Sequence, residues 1–154
     1  MIQQRLNKEL RQMQKNPPSN CSLISHSIDT SVHWICLING PDNTPYQNGK
    51  FFIEIQFPDS YPQQPPLVRF ITPIFHPNIS SDEICLDLLK KNWNSNFTIP
   101  LLLSSLQLLL KEPNFYDPLN RDASQAYFRN KKEFQEQAKK FVQIYATNPL
   151  FYIN

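Results

Sequence analysis

Three side chains in this sequence have the chemistry of an acyl transfer reaction: a thiol, a neutral amide and a carboxylate. Cys85 lies a few residues after Asn78, and Asp117 stands in a later loop bounded by prolines. A cysteine is intrinsically nucleophilic and can carry an acyl group as a thioester without a metal or a cofactor. A nearby amide can stabilise the oxyanion formed by amine attack, and a carboxylate can orient the amine. These residue types are compatible with acyl transfer through Cys85.

Each of these residues also has a purely structural interpretation. Cys85 stands between two apolar residues, a setting in which most cysteines are inert buried thiols. Asn78 follows His-Pro and can hold a turn, a role compatible with oxyanion stabilisation. Asp117 precedes a proline and can be an ordinary turn residue, and His76 is predicted to bond the backbone of its loop. The residue types alone leave these alternatives open.

The composition predicts one domain without metal or disulfide. A chain of 154 residues can bury roughly 70% of its unfolded surface, and we expect a core domain over 1–147 and a short tail over 148–154. The net charge of +2, without a basic tract, gives no case for nucleic-acid or membrane binding, and a monomer is the default.

The cysteine count predicts a reducing compartment. Cys21, Cys36 and Cys85 are widely spaced, an odd number without a signal peptide, and the histidines lack zinc-ligand spacing. We therefore expect a cytoplasmic or nuclear protein that binds no metal.

The hydrophobic pattern predicts an α+β fold. The predicted elements are a helix over 2–15, strands over 21–25, 32–38, 51–57 and 67–70, and helices over 99–110, 122–130 and 132–145. Phe51, Ile53, Ile55 and Phe57 alternate with more polar residues, which places them on one face of an antiparallel sheet covered by helices. Gly40-Pro41 and Asn48-Gly49 predict turns.

Two polar or irregular segments have competing interpretations. The proline-rich stretch 57–66 predicts a stiff internal loop, with a polyproline ligand for another domain as the alternative. The first helix carries Arg5, Lys8, Arg11 and Lys15 against the single acid Glu9. That basic face is either a partner surface or a merely solvated helix face.

Several motifs in register resemble the ubiquitin-conjugating enzyme family, most closely its small single-domain members, over essentially the whole chain. They are Gly40-Pro41 with Pro45-Tyr46, Tyr61-Pro62-Gln63-Gln64-Pro65-Pro66, His76-Pro77-Asn78, Ile84-Cys85-Leu86-Asp87, Trp93 and Asp117-Pro118-Leu119. The resemblance implies the ubiquitin-conjugating fold: an N-terminal helix, a four-stranded antiparallel meander, a long active-site loop and three helices.

The resemblance also implies a reaction. Cys85 would accept ubiquitin as a thioester from the ubiquitin-activating enzyme and pass it to a substrate lysine or a ligase cysteine. Asn78 and Asp117 would be its catalytic partners, with Leu119 and Tyr116 desolvating the incoming amine. The residues implied to support the active-site loop are His76, Pro77, Asp87 and Leu119. No cofactor is implied, because the activating enzyme is the component that uses ATP.

The implied partners are ubiquitin, its activating enzyme, ligases of RING or HECT type, and protein substrates. Contacts with the activating enzyme or ligases are implied for Arg5, Lys8, Gln63, Asn94, Ser95 and Asn96, and a contact with the donor ubiquitin for Ser104. Relatives often have a bulky apolar residue in place of Gln63, a Ser-Pro-Ala segment in place of Asn94 to Asn96, and leucine in place of Ser104. We therefore expect weaker ligase binding or a different set of ligases.

The turn before the thiol departs from the family pattern. Ser80-Ser81-Asp82-Glu83 contains no glycine and is one residue shorter than usual. Asp82 and Glu83 would disfavour the thiolate if they pointed toward it. The alternatives to an active ubiquitin carrier are a non-catalytic scaffold with the same fold and a carrier of another ubiquitin-like modifier.

Overall fold

The computed structural model describes residues 2–27 and 31–148, and its elements follow the predicted α+β order. They are α1 (Ile2–Lys15), β1 (Cys21–His26), β2 (His33–Asn39), β3 (Lys50–Gln56), β4 (Leu67–Phe70), a 3-10 turn (Asp87–Leu89), α2 (Ile99–Lys111), α3 (Arg121–Arg129) and α4 (Lys131–Phe141), which continues as a π-helical turn (Val142–Ala146). All but one residue of the predicted tail over 148–154 lies outside the described residues.

The four strands form one antiparallel meander in chain order. Cys36 pairs with Ile53 and Trp34 with Ile55, so these four apolar residues lie on the same side of the sheet. Phe51, Ile53 and Ile55 are buried as the predicted alternation requires, but Phe52 on the other side of the sheet is buried as well, so burial does not alternate strictly along β3. The observed β2 begins and ends one residue after the predicted bounds, and β3 begins and ends one residue before them. The predicted terminal residues Val32 and Phe57 still pair, since Phe57 N donates to Val32 O.

Helix α2 covers the buried face of the sheet and begins where the sequence predicts. The Thr98 hydroxyl accepts a hydrogen bond from Leu101 N at 3.3 Å and thereby caps the helix, with a proline in its first turn. Its buried residues join the same hydrophobic cluster as the sheet: Ile99, Leu102, Leu103, Leu106 and Leu110. Within 2–27 and 31–148, no helix is long and apolar enough to cross a membrane.

Two asparagines set the limits of α3 and α4. Asn120 Oδ1 accepts from Ala123 N at 3.2 Å, and Asn130 Oδ1 accepts from Lys132 N at 3.0 Å. Each helix therefore begins directly after its capping asparagine, one residue before the predicted start. The regular helix of α4 also ends at Phe141, earlier than the predicted 145.

The connection between β2 and β3 reaches the segment that carries the candidate site. A Cβ atom on Gly40 would lie 1.7 Å from the carbonyl oxygen of Tyr46, so only glycine fits there. Tyr46 is buried and donates its hydroxyl to Phe75 O at 2.8 Å. The two turns predicted from Gly40-Pro41 and Asn48-Gly49 bound this connection, which positions the residue just before His76.

Glu9 is the one residue of α1 that the sequence pattern misplaces. It was expected on the solvated basic face, but its side chain is only 1% exposed. Glu9 Oε1 accepts from Arg5 Nε at 2.6 Å and from the Tyr61 hydroxyl, and Oε2 accepts from Ile99 N at 2.6 Å. One buried carboxylate therefore joins α1 to the proline-rich loop and to the first residue of α2.

We predict that Glu9→Ala lowers the free energy of unfolding by about 3 kcal/mol or more, because it leaves a guanidinium, a hydroxyl and a backbone N–H without their acceptor. Urea unfolding of the purified protein measures this loss. Glu136→Ala is the matched control, since Glu136 is exposed on α4 and lies 4.0 Å from Lys132; its cost should stay below about 1 kcal/mol. Equal costs for the two variants would contradict the structural role of Glu9.

Candidate active site

His76 is buried and holds the start of the candidate site through two backbone groups. Its Nε2 donates to Leu109 O in α2 at 2.9 Å, and its Nδ1 accepts from Asn78 N at 3.0 Å. This pair of bonds requires the neutral ring with hydrogen on Nε2. Burial lowers the pKa of His76 to about 4, and the bond to the Leu109 carbonyl opposes that shift. His76 is therefore uncharged at neutral pH.

Asn78 joins the segment before Cys85 to the loop that carries Asp117. Its Nδ2 donates to Asn114 O at 2.8 Å, and its Oδ1 accepts from Asn114 N at 2.8 Å. The Asn78 residue is only 2% exposed. Pro77 O reinforces the same contact by accepting from Leu119 N at 2.8 Å and Asn120 N at 3.0 Å. Four hydrogen bonds thus align residues far apart in sequence.

Cys85 is the most accessible of the three thiols. Its backbone N–H donates to Asn78 O at 2.8 Å, which places the thiol beside the segment that Asn78 anchors. Cys21 and Cys36 are buried, and burial raises the pKa of Cys21 to about 11 and that of Cys36 to about 12. Those two cysteines stay protonated and enclosed, so Cys85 is the candidate nucleophile.

The short turn before Cys85 closes without glycine. Ser80 N donates to Glu83 O at 2.9 Å, and the Ser80 hydroxyl accepts from Glu83 N at 3.1 Å. Ile79 and Ile84 form an isolated bridge at its base. The serine side chain supplies the bond that stabilises this compact turn. A cleft of about 690 Å³ opens between the turn and the loop 119–122.

An ion pair flanks the thiol, and the sequence pattern did not predict it. Lys90 Nζ donates to Glu83 Oε1 at 2.6 Å. Asp87 begins the 3-10 turn, and the Asp87 carbonyl oxygen accepts a hydrogen bond from Lys90 N at 3.0 Å. This bond reverses the chain, so that Lys90 comes back toward the turn that contains Glu83. Glu83 is thus neutralised locally, whereas Asp82 is exposed and makes no side-chain ion pair among the described residues.

Asp117 is exposed on the loop held by Asn78 and Pro77. Leu119 is half-buried beside it, but Tyr116 is 87% exposed and therefore does not enclose the site as expected. The Tyr116 ring instead lies against Phe128 of α3, with centroids 5.3 Å apart. Sequence reasoning missed this aromatic pair because Phe128 is distant in the chain.

Of the residues implied to contact other proteins, Arg5 is bonded within the protein and the others are exposed. Arg5 Nη1 donates to Ser95 O at 2.7 Å and Nη2 to Phe97 O at 2.5 Å, so Arg5 holds the loop after Trp93. Trp93 Nε1 donates to Pro62 O at 2.8 Å, which brings that loop to the proline-rich loop. The remaining implied contact residues are exposed: Lys8, Gln63, Asn94, Asn96 and, on α2, Ser104.

The buried neutral His76 predicts a pH-dependent stability. Its pKa in the folded protein, about 4, lies below the unfolded value of 6.5, so the unfolded state binds more protons between these values. Stability from this group is complete above about pH 6.5 and falls as the pH drops toward 4, by about 2 kcal/mol between about pH 7 and pH 5. Urea unfolding at both pH values measures it.

His76→Gln should remove that part of the pH dependence, although it lowers stability overall. His26→Gln is the matched control, because His26 is exposed on β1. The control should keep the pH dependence of the natural chain. An unchanged pH dependence in His76→Gln would show that His76 is not the responsible group.

Two comparisons with known proteins agree with this arrangement. A family model described as ubiquitin-conjugating enzyme matches residues 5–142. Among solved structures, the E2 domain of a ubiquitin conjugating enzyme from Toxoplasma gondii matches with a TM-score of 0.86 and 36% sequence identity, over 95% of this chain and 99% of that one. The N-terminal helix, four-stranded antiparallel sheet and three following helices are shared with that domain. This chain therefore belongs to the ubiquitin-conjugating enzyme family.

Proposed function

We propose that this chain is an active ubiquitin carrier, which receives the carboxyl terminus of ubiquitin on Cys85 and passes it to a lysine amine or to a ligase cysteine. The observation that supports the proposal most directly is the contrast among the thiols. Cys85 alone is partly exposed, and its backbone is bonded to Asn78. Family membership supports ubiquitin as the modifier, with an activating enzyme and ligases as its general partners.

Charging is a thioester exchange in this proposal. The Cys85 thiolate attacks the carbonyl carbon of ubiquitin's thioester on the activating enzyme, a new C–S bond forms, and the old C–S bond breaks as the other thiolate leaves. Because the exchange is nearly isoenergetic, the protein must supply mainly a thiolate and alignment. Cys85 needs no cofactor for this step, and ATP is consumed by the activating enzyme.

Transfer to lysine adds a demand for oxyanion stabilisation. The Asn78 amide nitrogen has two hydrogens, of which one is bonded to Asn114 O. The other is the donor that we assign to the oxyanion, so that one side chain both holds the loop and assists the reaction. Asp117, on the loop thus held, orients the incoming amine, while Leu119 is the apolar neighbour that remains beside it.

The implied partner surface is retained in the proposal with one change. Lys8 is exposed on α1 and suits an acidic partner, whereas Arg5 is already bonded to Glu9, Ser95 and Phe97. We assign Arg5 to shaping the ligase-facing loops and Lys8 to the direct contact. The free cysteines suit a reducing compartment, so we propose the cytoplasm or the nucleus.

The first test is charging. Incubation with ubiquitin, activating enzyme and ATP should give an adduct on a non-reducing gel that a thiol reductant removes. Cys85→Ala should abolish the adduct, and Cys36→Ala is the control that should keep it, provided that the variant remains folded by circular dichroism. An adduct formed only with another ubiquitin-like protein would overturn the modifier assignment. No adduct with any of them would favour a scaffold.

A second test separates the two roles of Asn78. Asn78→Ala should slow discharge of the preformed thioester to free lysine by about a hundredfold or more, because it removes the oxyanion donor. Asn114→Ala is the control: it removes the bond from Tyr116 N to Asn114 Oδ1 and loosens the same loop, but keeps the Asn78 amide. Equal losses in the two variants would reduce Asn78 to a loop-holding residue.

A further inference from the structure

Glu83 and Lys90, which stand on either side of the candidate nucleophile in the sequence, form an ion pair. Glu83 precedes Cys85 by two residues, Lys90 follows it by five, and their side chains meet at 2.6 Å. The pKa of Lys90 is raised, first by the hydrogen bond to Glu83 and further by attraction to nearby negative charges, while burial opposes that shift. The lysine charge is therefore held at the acid that stands two residues before the thiol.

Charged groups of both signs lie on the segments around the thiol. The turn before Cys85 contributes Asp82 and Glu83, the segment after it contributes Asp87, Lys90 and Lys91, and the facing loop contributes Asp117; the nearby His76 is neutral. The cleft beside the turn is also lined by Arg69, which pairs with Glu54, and by Arg121 and Asp122. Negative charges disfavour a thiolate, which is the reactive form. Among the described residues Lys91 forms no ion pair, so Lys90 is the cation bound in place beside the turn.

We propose that Lys90 is a positioning residue for the thioester reaction: by pairing with Glu83 across Cys85, it cancels the charge of the acid in the turn and favours the thiolate. The proposal deepens the proposed function, because it concerns the nucleophile of that reaction. It explains how a turn with two acids can precede a reactive thiol. The role requires only charge and position, not contact with ubiquitin.

Alkylation by iodoacetamide tests the proposal without ubiquitin. The rate at Cys85, followed by peptide mass spectrometry, reports the thiolate fraction of the folded protein. In low salt Lys90→Met should react about twofold to threefold more slowly than the natural chain, since the Glu83 charge is no longer cancelled. Glu83→Gln should react faster by a similar factor, and the double variant should return close to the natural rate.

Two controls separate this effect from net charge and from structural damage. Lys91→Met changes the net charge equally but removes no ion pair, so it should alter the rate less than Lys90→Met does. The slower reaction of Lys90→Met should also shrink in about 0.5 M salt, where exposed charges are screened. A structural lesion would slow the reaction at every pH, whereas a charge effect moves the whole pH–rate profile of Lys90→Met to higher pH.

The outcomes distinguish this proposal from the proposed function. Equal alkylation rates for Lys90→Met and the natural chain in low salt, or an equal loss in Lys91→Met, would overturn the role of Lys90 even if ubiquitin charging succeeds. The predicted order of rates would support that role even if no ubiquitin adduct forms. In the charging assay, Lys90→Met should be impaired at neutral pH and approach the natural rate at higher pH.

Discussion

The paired hydrogen bonds between the Asn78 amide and the Asn114 backbone are the contact on which the candidate site depends. They join two segments that are distant in sequence, one leading to Cys85 and the other to Asp117. Both bonds are partly buried and the Asn78 residue is only 2% exposed, so an amide group of Asn78 left without its partner would cost about 1–3 kcal/mol. The bonds from Leu119 and Asn120 to Pro77 O reinforce the same alignment. These hydrogen bonds therefore fix the loop that carries Asp117 relative to the segment that carries Cys85.

A second buried polar centre lies at the first residue of α2. Glu9 collects donors from Arg5, Tyr61 and Ile99, and Arg5 extends the network to Ser95 and Phe97. The network aligns α1, the proline-rich loop and the loop before α2 as one surface. Its charge is satisfied internally, so the Arg5 guanidinium is bonded within the protein, whereas Lys8 on the same helix is exposed. Burial of a carboxylate is tolerated here because both of its oxygens accept hydrogen bonds and the Arg5 guanidinium balances its charge.

The elements were predictable because they depend on local patterns. The apolar face of β3 and the Thr98 cap of α2 are properties of short stretches, and the structure confirms the cap and the burial of Phe51, Ile53 and Ile55. The predicted starts of α3 and α4 were one residue late because the hydrophobic pattern does not mark the first helical residue, which follows the capping asparagine in each case. The position of Glu9 was predicted wrongly, since a carboxylate in a basic helix looks solvated until its partners from elsewhere in the chain are known.

Within the candidate site, the sequence identified the residue types, and packing decided what surrounds them. The segment from His76 to Asp87 marked Cys85 and Asn78 as candidates only through its resemblance to a family, because their identities and spacing also fit purely structural roles. The prediction that His76 bonds the backbone of its own loop is confirmed by the bond from Asn78 N. Tyr116 was expected to enclose the site, but it is largely exposed and its ring packs against Phe128. That contact depends on how α3 packs against the loop.

The sequence by itself determined the order of the elements, the capped start of α2 and the position of Cys85 after His76-Pro77-Asn78. Only the tertiary structure decided that Asn78 meets Asn114, that Glu9 is buried among three donors and that Lys90 turns back onto Glu83. The physical reason is that short-range periodicity and capping act within a few residues, whereas buried polar contacts join groups that only the folded chain brings together.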